Sequence, residues 1–143
     1  MAERKQPGRL ATKVAKAARE AREQGNVLVP MCPSRGVLEH VTSRWGVLVL
    51  VCLLEDTHRF SELRRKVGGV SEKMLAQTLH ALEQDGFVLR EAYAVIPPRV
   101  DYSLTPLGRE VAERVESLVD WIEDNLGRVL EARGEYAADE EAS

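Results

Sequence analysis

Four polar side chains between residues 71 and 80 are of the types that bind nucleic acid. They are Ser71, Lys73, Gln77 and His80. The apolar residues around them follow helical spacing, which places these polar groups on the outward side of one helix. A glutamine amide can pair with adenine through two hydrogen bonds, whereas lysine and serine anchor phosphates or base edges. We therefore expect Gln77 to read sequence, with His80 facing the same groove.

Three arginines outside this helix are candidates for holding the sugar-phosphate backbone. Arg64 and Arg65 precede the helix, and Arg99 follows a pair of prolines. An arginine beside a stiff, extended segment suits the narrow and electronegative minor groove. The alternative for each of these residues is a charged face that contacts solvent alone.

The polar set requires two helices joined by a tight turn. We expect Ser61 to cap a first short helix that carries Leu63 and Val67. Gly68 and Gly69 end it, because glycine readily adopts the positive φ of a helix C-terminus. This is the geometry of a helix-turn-helix, although similar helix pairs also pack together without binding any ligand.

The second helix is expected to begin after Ser71 and to end at Asp85 and Gly86. Its apolar stripe consists of Met74, Leu75, Thr78, Leu79 and Leu82. In a helix-turn-helix the N-terminal half of such a helix can enter the major groove.

A β-hairpin is predicted to follow the two helices. Residues 87–90 and 100–104 are rich in strand formers, and Pro97 and Pro98 stiffen the connection between them. Proline removes backbone donors, so this hairpin suits an exposed wing rather than a central sheet. Arg59 and Phe60 are candidates for a further short strand. The predicted fold class is mainly α with a small antiparallel β-wing, a winged helix-turn-helix with long N- and C-terminal dimerisation helices.

A long helix is expected after Thr105, with threonine as N-cap and Pro106 in its first turn. Its apolar stripe runs from Val111 to Val129, which is more apolar edge than a domain of this size needs for one core. The stripe favours an interface with a second copy over burial within one chain. The candidate interface residues are Val115, Leu118, Val119, Ile122 and Leu126.

The chain of 143 residues is long enough for one domain with tails. The apolar run 45–54 predicts a buried helix that is too short to span a bilayer, so we expect a cytoplasmic protein. Residues 1–31 form a basic and partly helical extension, and residues 32–130 form the domain. Residues 131–143 are small and acidic, and we expect disorder there and at residues 1–8.

Charge is distributed unevenly around the net value of −3. Residues 1–25 carry seven basic and three acidic side chains, whereas residues 110–143 carry three basic and eleven acidic ones. An acidic segment repels phosphate, so any surface for nucleic acid must lie in the first three quarters of the chain. The basic extension either contacts phosphate itself or packs on a partner.

Enzyme and metal sites are not indicated by the sequence. Cys32 and Cys52 form no CxxC pair, and His40, His58 and His80 fall on different predicted elements. No GxSxG, HExxH, phosphate-loop or dinucleotide motif occurs. We therefore expect neither catalysis nor a cofactor.

The order of these features resembles the HxlR-type winged-helix transcription regulators, which are relatives of the MarR-type repressors. The resemblance covers about residues 30–125 and rests on the Cys-Pro pair at 32–33, Trp45, FSELRR, VSEKML, LEQDGFVLR, PPRVDYSLTPLG and Trp121. Thr42, Ser43 and Arg44 replace the glycine-rich approach to the tryptophan that is common in the family. The resemblance implies a homodimeric regulator, with a repressor expected, that binds double-stranded DNA at a palindromic operator.

The resemblance also makes Cys32 a candidate sensor of quinones, aldehydes or oxidants. Arg35 nearby is expected to favour the reactive thiolate, while the alternative is a buried, inert thiol. Cys52 lies within an apolar run and is expected in the core. A separate alternative for the whole chain is a winged-helix module that binds protein and has little specific affinity for DNA. The acidic C-terminal segment and Glu72 favour that alternative.

Overall fold

A computed structural model describes residues 8–142, except for the side chains at 17, 18 and 20–23. The chain divides into two compact units, one ending at His40 and the other beginning at Val41. The described residues form α1 (Arg9–Gln24), α2 (Ser34–Thr42), α3 (Arg44–Glu55), β1 (His58–Arg59), α4 (Phe60–Val67), α5 (Glu72–Gln84), β2 (Val88–Tyr93), β3 (Arg99–Leu104), α6 (Pro106–Asp124) and α7 (Leu126–Ala142). This mainly helical architecture with a small antiparallel sheet agrees with the predicted fold class.

The first unit contains the predicted basic helix, α1, followed by a turn that leads into α2. The disorder predicted for residues 1–8 falls outside the described residues except at Gly8. Within the described residues no single helix is long and apolar enough to cross a membrane, and only the bent pair of α2 and α3 together meets that test, by length and composition alone.

Helix α3 provides the centre of the second unit. It packs against α4, α5 and α6, and it buries Val49, Leu50 and Leu53, as its apolar sequence predicts. Facing leucines complete this core, namely Leu63, Leu75, Leu79 and Leu82. Burial of this apolar surface is the main force that fixes α4 and α5 against the rest of the domain.

The turn between α4 and α5 has the predicted glycines and one of the two predicted caps. Gly68 and Gly69 have φ values of 54° and 83°, and the Ser71 Oγ accepts a hydrogen bond from the Met74 N–H. Ser61 is not the N-cap of α4, because the helix already begins at Phe60. The extended residue before it, Arg59, takes the cap position without a side-chain bond.

The sheet has the order β1-β3-β2, and both pairings are antiparallel. The predicted hairpin is confirmed, with Val88 opposite Leu104 at its base and Tyr93 opposite Arg99 at its outer end. The short strand is His58–Arg59 rather than Arg59 with Phe60, since Phe60 is the first residue of α4.

Helix α6 begins as predicted, with the Thr105 Oγ1 accepting from the Gly108 N–H and with Pro106 in the first turn. Gly108 lets this helix start directly against the backbone of Phe87, where a side chain would collide. The predicted stripe does not lie on one continuous helix, because α6 ends at Asp124. The Asn125 side chain then donates to the Trp121 carbonyl oxygen.

The prediction of a disordered tail from residue 131 is wrong for residues 131–142, which belong to α7. Alanine and glutamate dominate this segment, with four of each among residues 131–142, and both have high helix propensity. None of the α7 residues is buried. Local propensity therefore outweighed the composition of small and acidic residues from which disorder was expected.

Candidate DNA-binding surface

The four polar residues predicted on α5 all lie exposed on its outward side. Ser71 is at the N-cap, and Lys73, Gln77 and His80 follow on the helix. Their exposure arises because Leu75, Leu79 and Leu82 take the opposite side into the core. The Ser71 oxygen already accepts from the backbone, which leaves its O–H as a donor for an approaching phosphate.

Ala76 and Met74 on α5 are also exposed, although the sequence interpretation did not assign them to this surface. Ala76 lies three residues after Lys73 and four before His80, so its methyl group is at the centre of the polar face. Met74, predicted in the buried stripe, has 41% of its surface exposed. An apolar methyl in a polar face suits contact with the thymine methyl group. The helical spacing of residues 73, 76, 77 and 80 could have predicted that Ala76 lies on this face.

Arg64 and Arg65 lie on α4 and border a groove of about 700 Å³ that also includes Ser71 and Glu72. An Nη1 of Arg64 donates to the Glu72 Oε1 at 3.0 Å, which joins α4 to the first turn of α5. Arg64, which the sequence predicts to contact the sugar-phosphate backbone of DNA, therefore already has a carboxylate partner within the protein.

Arg99 opens β3 at the outer end of the hairpin, and its guanidinium is also paired. It donates two hydrogen bonds to Asp101, at 3.0 and 2.9 Å, and lies over the Tyr93 ring at 5.3 Å from the centroid. The hydrogen bond from Arg99 holds the pKa of the Asp101 carboxyl below its usual range. Arg90 on β2 is a further exposed cation of the wing that the sequence interpretation missed.

A second exposed surface lies on α6 and α7 and is apolar. We call it the apolar face, and its members are Leu118, Trp121, Ile122, Leu126 and Leu130. Trp121 is 55% exposed, whereas Val115 is only 8% exposed and lies in the core of its own chain. Val115 is therefore corrected from an interface residue to a core residue, because its helical position faces inward. Val119 is half-buried, and Trp121 and Leu130 join the surface.

The thiol of Cys32 lies in the first unit, just before α2, and is 7% exposed, which agrees with the expected alternative of a buried thiol. Its sulfur accepts hydrogen bonds from the Ser34 hydroxyl at 3.0 Å and the Asn26 N–H at 3.2 Å. These bonds, the Ser34 hydroxyl foremost, lower the pKa of the thiol by stabilising the thiolate.

Arg35 does not have the role expected of it, since its Nε donates to the Val27 carbonyl oxygen at 2.8 Å. It orders the loop before α2, and the hydrogen bonds around the sulfur stabilise the thiolate instead. Cys52 is half-buried in the second unit, and burial raises the pKa of its thiol. The two cysteines thus differ in the direction of their pKa shifts.

Within the described part of the chain no three histidine, cysteine or acidic side chains cluster as metal ligands would. His58 is buried, and its Nδ1 donates to the Asp56 carbonyl oxygen at 2.6 Å. His80 is exposed on α5. Four features of the described residues are candidates for function: the polar face of α5, the groove beside it, the apolar face and Cys32.

Comparison with known proteins places these features in a family. Residues 40–129 match the model of the HxlR-like helix-turn-helix. The chain is 67% identical over 116 residues to the HTH-type transcriptional regulator YtfH of Escherichia coli K12, an alignment that covers 81% of this chain and 92% of the relative.

Solved structures give the same picture. The transcriptional regulator ytfH from Salmonella typhimurium is 65% identical, with a TM-score of 0.74, over 77% of this chain and 98% of that one. The redox regulator HypR in its oxidized form is 35% identical, with a TM-score of 0.61, over 66% of this chain and 97% of that one.

Proposed function

Because the chain belongs to the HxlR family of helix-turn-helix transcription regulators, we propose that it is a repressor that binds one palindromic operator as a homodimer. The observation that carries the proposal is the polar outward face of α5, capped at its N-terminus by Ser71. Such a helix presents hydrogen-bonding groups and the positive end of its dipole to DNA.

In this proposal the N-terminal half of α5 enters the major groove. Gln77 pairs with adenine, His80 faces the same bases, and Lys73 and Ser71 contact phosphate or base edges. Arg65 holds the DNA backbone beside the groove of α4 and α5, and Arg64 does so once it is released from the Glu72 carboxylate. Arg99 supports the wing through Asp101, and its exposed edge contacts the minor-groove backbone.

The homodimer is proposed from the apolar face. Five large apolar side chains in contact with water cost free energy, and a second copy related by a two-fold axis would cover them. The same axis would set two α5 helices about 34 Å apart, which is one turn of DNA. An operator of two inverted half-sites follows from that symmetry.

We propose Cys32 as the sensor of this regulator, for quinones or other electrophiles. Because the thiol is only 7% exposed, the loop before α2 must open locally for an electrophile to reach the sulfur. Its lowered pKa favours the thiolate, and the similar protein HypR is described as a redox regulator. In the proposed reaction the thiolate sulfur forms a bond to a quinone carbon. The electron pair moves into the ring, which takes up a proton to give a hydroquinone adduct. Such a regulator acts where the chromosome lies, so its proposed location is the cytoplasm.

The test is a fluorescence-anisotropy titration of the reduced, full-length chain. DNA from upstream of its own gene and a shuffled duplex are compared at several salt concentrations. We expect preferential binding to the first, with log affinity falling by about 0.9 per phosphate contact for each unit of log salt. The same titration is made with DNA that the protein selects from the whole genome. If this DNA and the shuffled duplex bind equally and weakly, the result would favour the alternative of a winged-helix module that binds protein.

The sensor is tested on the same complex by adding quinone. Wild type and the matched variant Cys52→Ser should release the operator, whereas Cys32→Ser should bind normally and ignore the quinone. Release by Cys32→Ser would refute the assignment. Thiol alkylation against pH adds a second readout, because the lowered pKa of Cys32 keeps its thiolate populated at lower pH than the raised pKa of Cys52 allows.

A further inference from the structure

The ion pair between Arg64 and Glu72 lies on the surface proposed to face DNA. Its partners are eight residues apart in sequence, one on the last turns of α4 and one at the first position of α5. Both border the groove that includes Ser71 and Arg65. The carboxylate therefore occupies the place at the start of α5 where the helix dipole and the arginine would otherwise attract a phosphate.

The pair contributes little to folding. The Arg64 and Glu72 side chains are 47% and 72% exposed, and one hydrogen bond at 3.0 Å joins them. Exposed ion pairs of this kind are screened by solvent, and the fixing of two long side chains offsets most of their attraction. The α5 N-terminus is already capped by Ser71. Loss of the Glu72 charge should thus leave the fold intact.

The effect of Glu72 on DNA depends on what the DNA offers it. Any duplex presents phosphates, which the Glu72 carboxylate repels while it neutralises Arg64. A carboxylate accepts hydrogen bonds only, so in the major groove it suits the amino groups of cytosine and adenine. Cytosine is the better partner, because the adenine amino group lies beside N7, a second acceptor that repels the carboxylate. Specificity is a difference between two affinities. A group that weakens binding to the wrong sequence therefore raises specificity as effectively as a group that strengthens binding to the right sequence.

We propose that Glu72 is a specificity-determining residue. On DNA of any sequence it weakens binding, because it holds Arg64 and repels phosphate. On the operator it also accepts a hydrogen bond from a base amino group. The inference rests on the proposed function as a DNA-binding regulator. It gives a role in DNA selection to a carboxylate that, from sequence alone, argued against DNA binding.

The experiment compares full-length wild type and Glu72→Gln on the operator and on a shuffled duplex, each at several salt concentrations. The glutamine keeps the shape of the side chain and removes its charge. We expect the variant to bind shuffled DNA about tenfold more tightly, with a salt slope steeper by about one phosphate contact. The ratio of operator to shuffled affinity should fall by about tenfold. Glu83→Gln makes the same chemical change on α5 away from the groove and should leave the ratio within twofold.

Two further measurements identify the cause. In an Arg64→Gln background the Glu72→Gln change should increase shuffled binding by less than threefold, because no arginine is left to release. Single C·G to T·A changes through the operator should weaken wild type about tenfold at one position in each half-site, and Glu72→Gln should not distinguish the bases there.

The outcomes separate the two proposals. A wild type that does not prefer the operator overturns the proposed function and this inference with it. A wild-type preference that Glu72→Gln leaves unchanged, or a variant that shifts both duplexes by one factor, overturns the inference alone. Circular dichroism of each variant confirms that its helices are intact.

Discussion

Helices α5 and α6 each begin after a hydroxyl-bearing N-cap and pack an apolar side against α3. Their outward sides differ. Helix α5 exposes Lys73, Gln77 and His80, whereas α6 exposes Leu118, Trp121 and Ile122. Polar side chains are well solvated in water, but exposed apolar surface costs about 25 cal/mol per Å². The buried sides therefore explain why both helices pack against α3. The outward sides suit the two partners proposed for them, DNA for α5 and a second copy of the chain for α6.

The largest effect should come from placing charge on the outward side of α6. Leu118→Glu combined with Ile122→Glu would bury two carboxylates in the proposed interface, which should weaken dimerisation roughly a thousandfold, or about 4 kcal/mol. Sedimentation equilibrium measures the constant. Asp120→Lys, on the acidic side of α6, is the control and should change it by less than about threefold. An unchanged dimer in the double variant would remove the contrast between the two helices.

A smaller effect distinguishes the two caps. The Thr105 Oγ1 accepts from Gly108 and also donates to the Gly86 carbonyl oxygen at 2.6 Å, whereas the Ser71 oxygen has only its capping role among the described contacts. Thr105→Ala should lower the free energy of unfolding by about 2 kcal/mol and Ser71→Ala by about 1 kcal/mol, in urea titrations. Thr105→Ser keeps the oxygen and should recover most of the loss. Equal losses at the two caps would contradict this account.

The polar face of α5 should read one base through Gln77. Gln77→Ala should lose about tenfold in discrimination at one A·T pair of each half-site, because the pair of hydrogen bonds to adenine is removed. Gln84→Ala, at the C-terminal end of the same helix, is the matched control and should keep full discrimination. A uniform loss across all base substitutions would show that Gln77 contacts only the backbone.

Substitution of Lys73 should have the smallest effect. It should change the overall affinity for DNA and leave the preference between sequences unchanged. Lys73→Gln should weaken binding a few-fold on every sequence and reduce the salt slope by about 0.9, the value for one phosphate. Anisotropy titrations from low to high salt measure this slope. A loss confined to the operator would instead assign Lys73 to a base.

Much of α5 and α6 could be predicted from sequence. The caps at Ser71 and Thr105, the stop at Gly68 and the inward leucines of α5 are confirmed, because each depends on residues within about one helical turn. Ser61 failed as a cap since Arg59 is already extended and Phe60 begins the helix. The end of α6 at Asn125 was missed because the apolar stripe continues past it. The helix of residues 131–142 was missed because the acidic composition was given more weight than local helix propensity.

The sequence predicted which side chains of the candidate DNA-binding surface are polar and exposed, but not how they pair. Residue types alone show that Arg64, Arg99 and Cys32 are polar or reactive. They do not show that Arg64 holds Glu72, that Arg99 holds Asp101 or that Ser34 donates to the Cys32 sulfur. Each pairing depends on a turn or strand geometry that the spacing of residues leaves open.

The sequence by itself determined the fold class, most helix ends and which sides of α5 are polar or apolar, since these follow from backbone conformation and helical periodicity. Only the tertiary structure decided that Val115 belongs to the core while Trp121 stays exposed, and that Arg64 meets a carboxylate from the next helix. The physical reason is range. Capping and periodicity act within a few residues, whereas burial and ion pairing depend on how separate elements pack around α3.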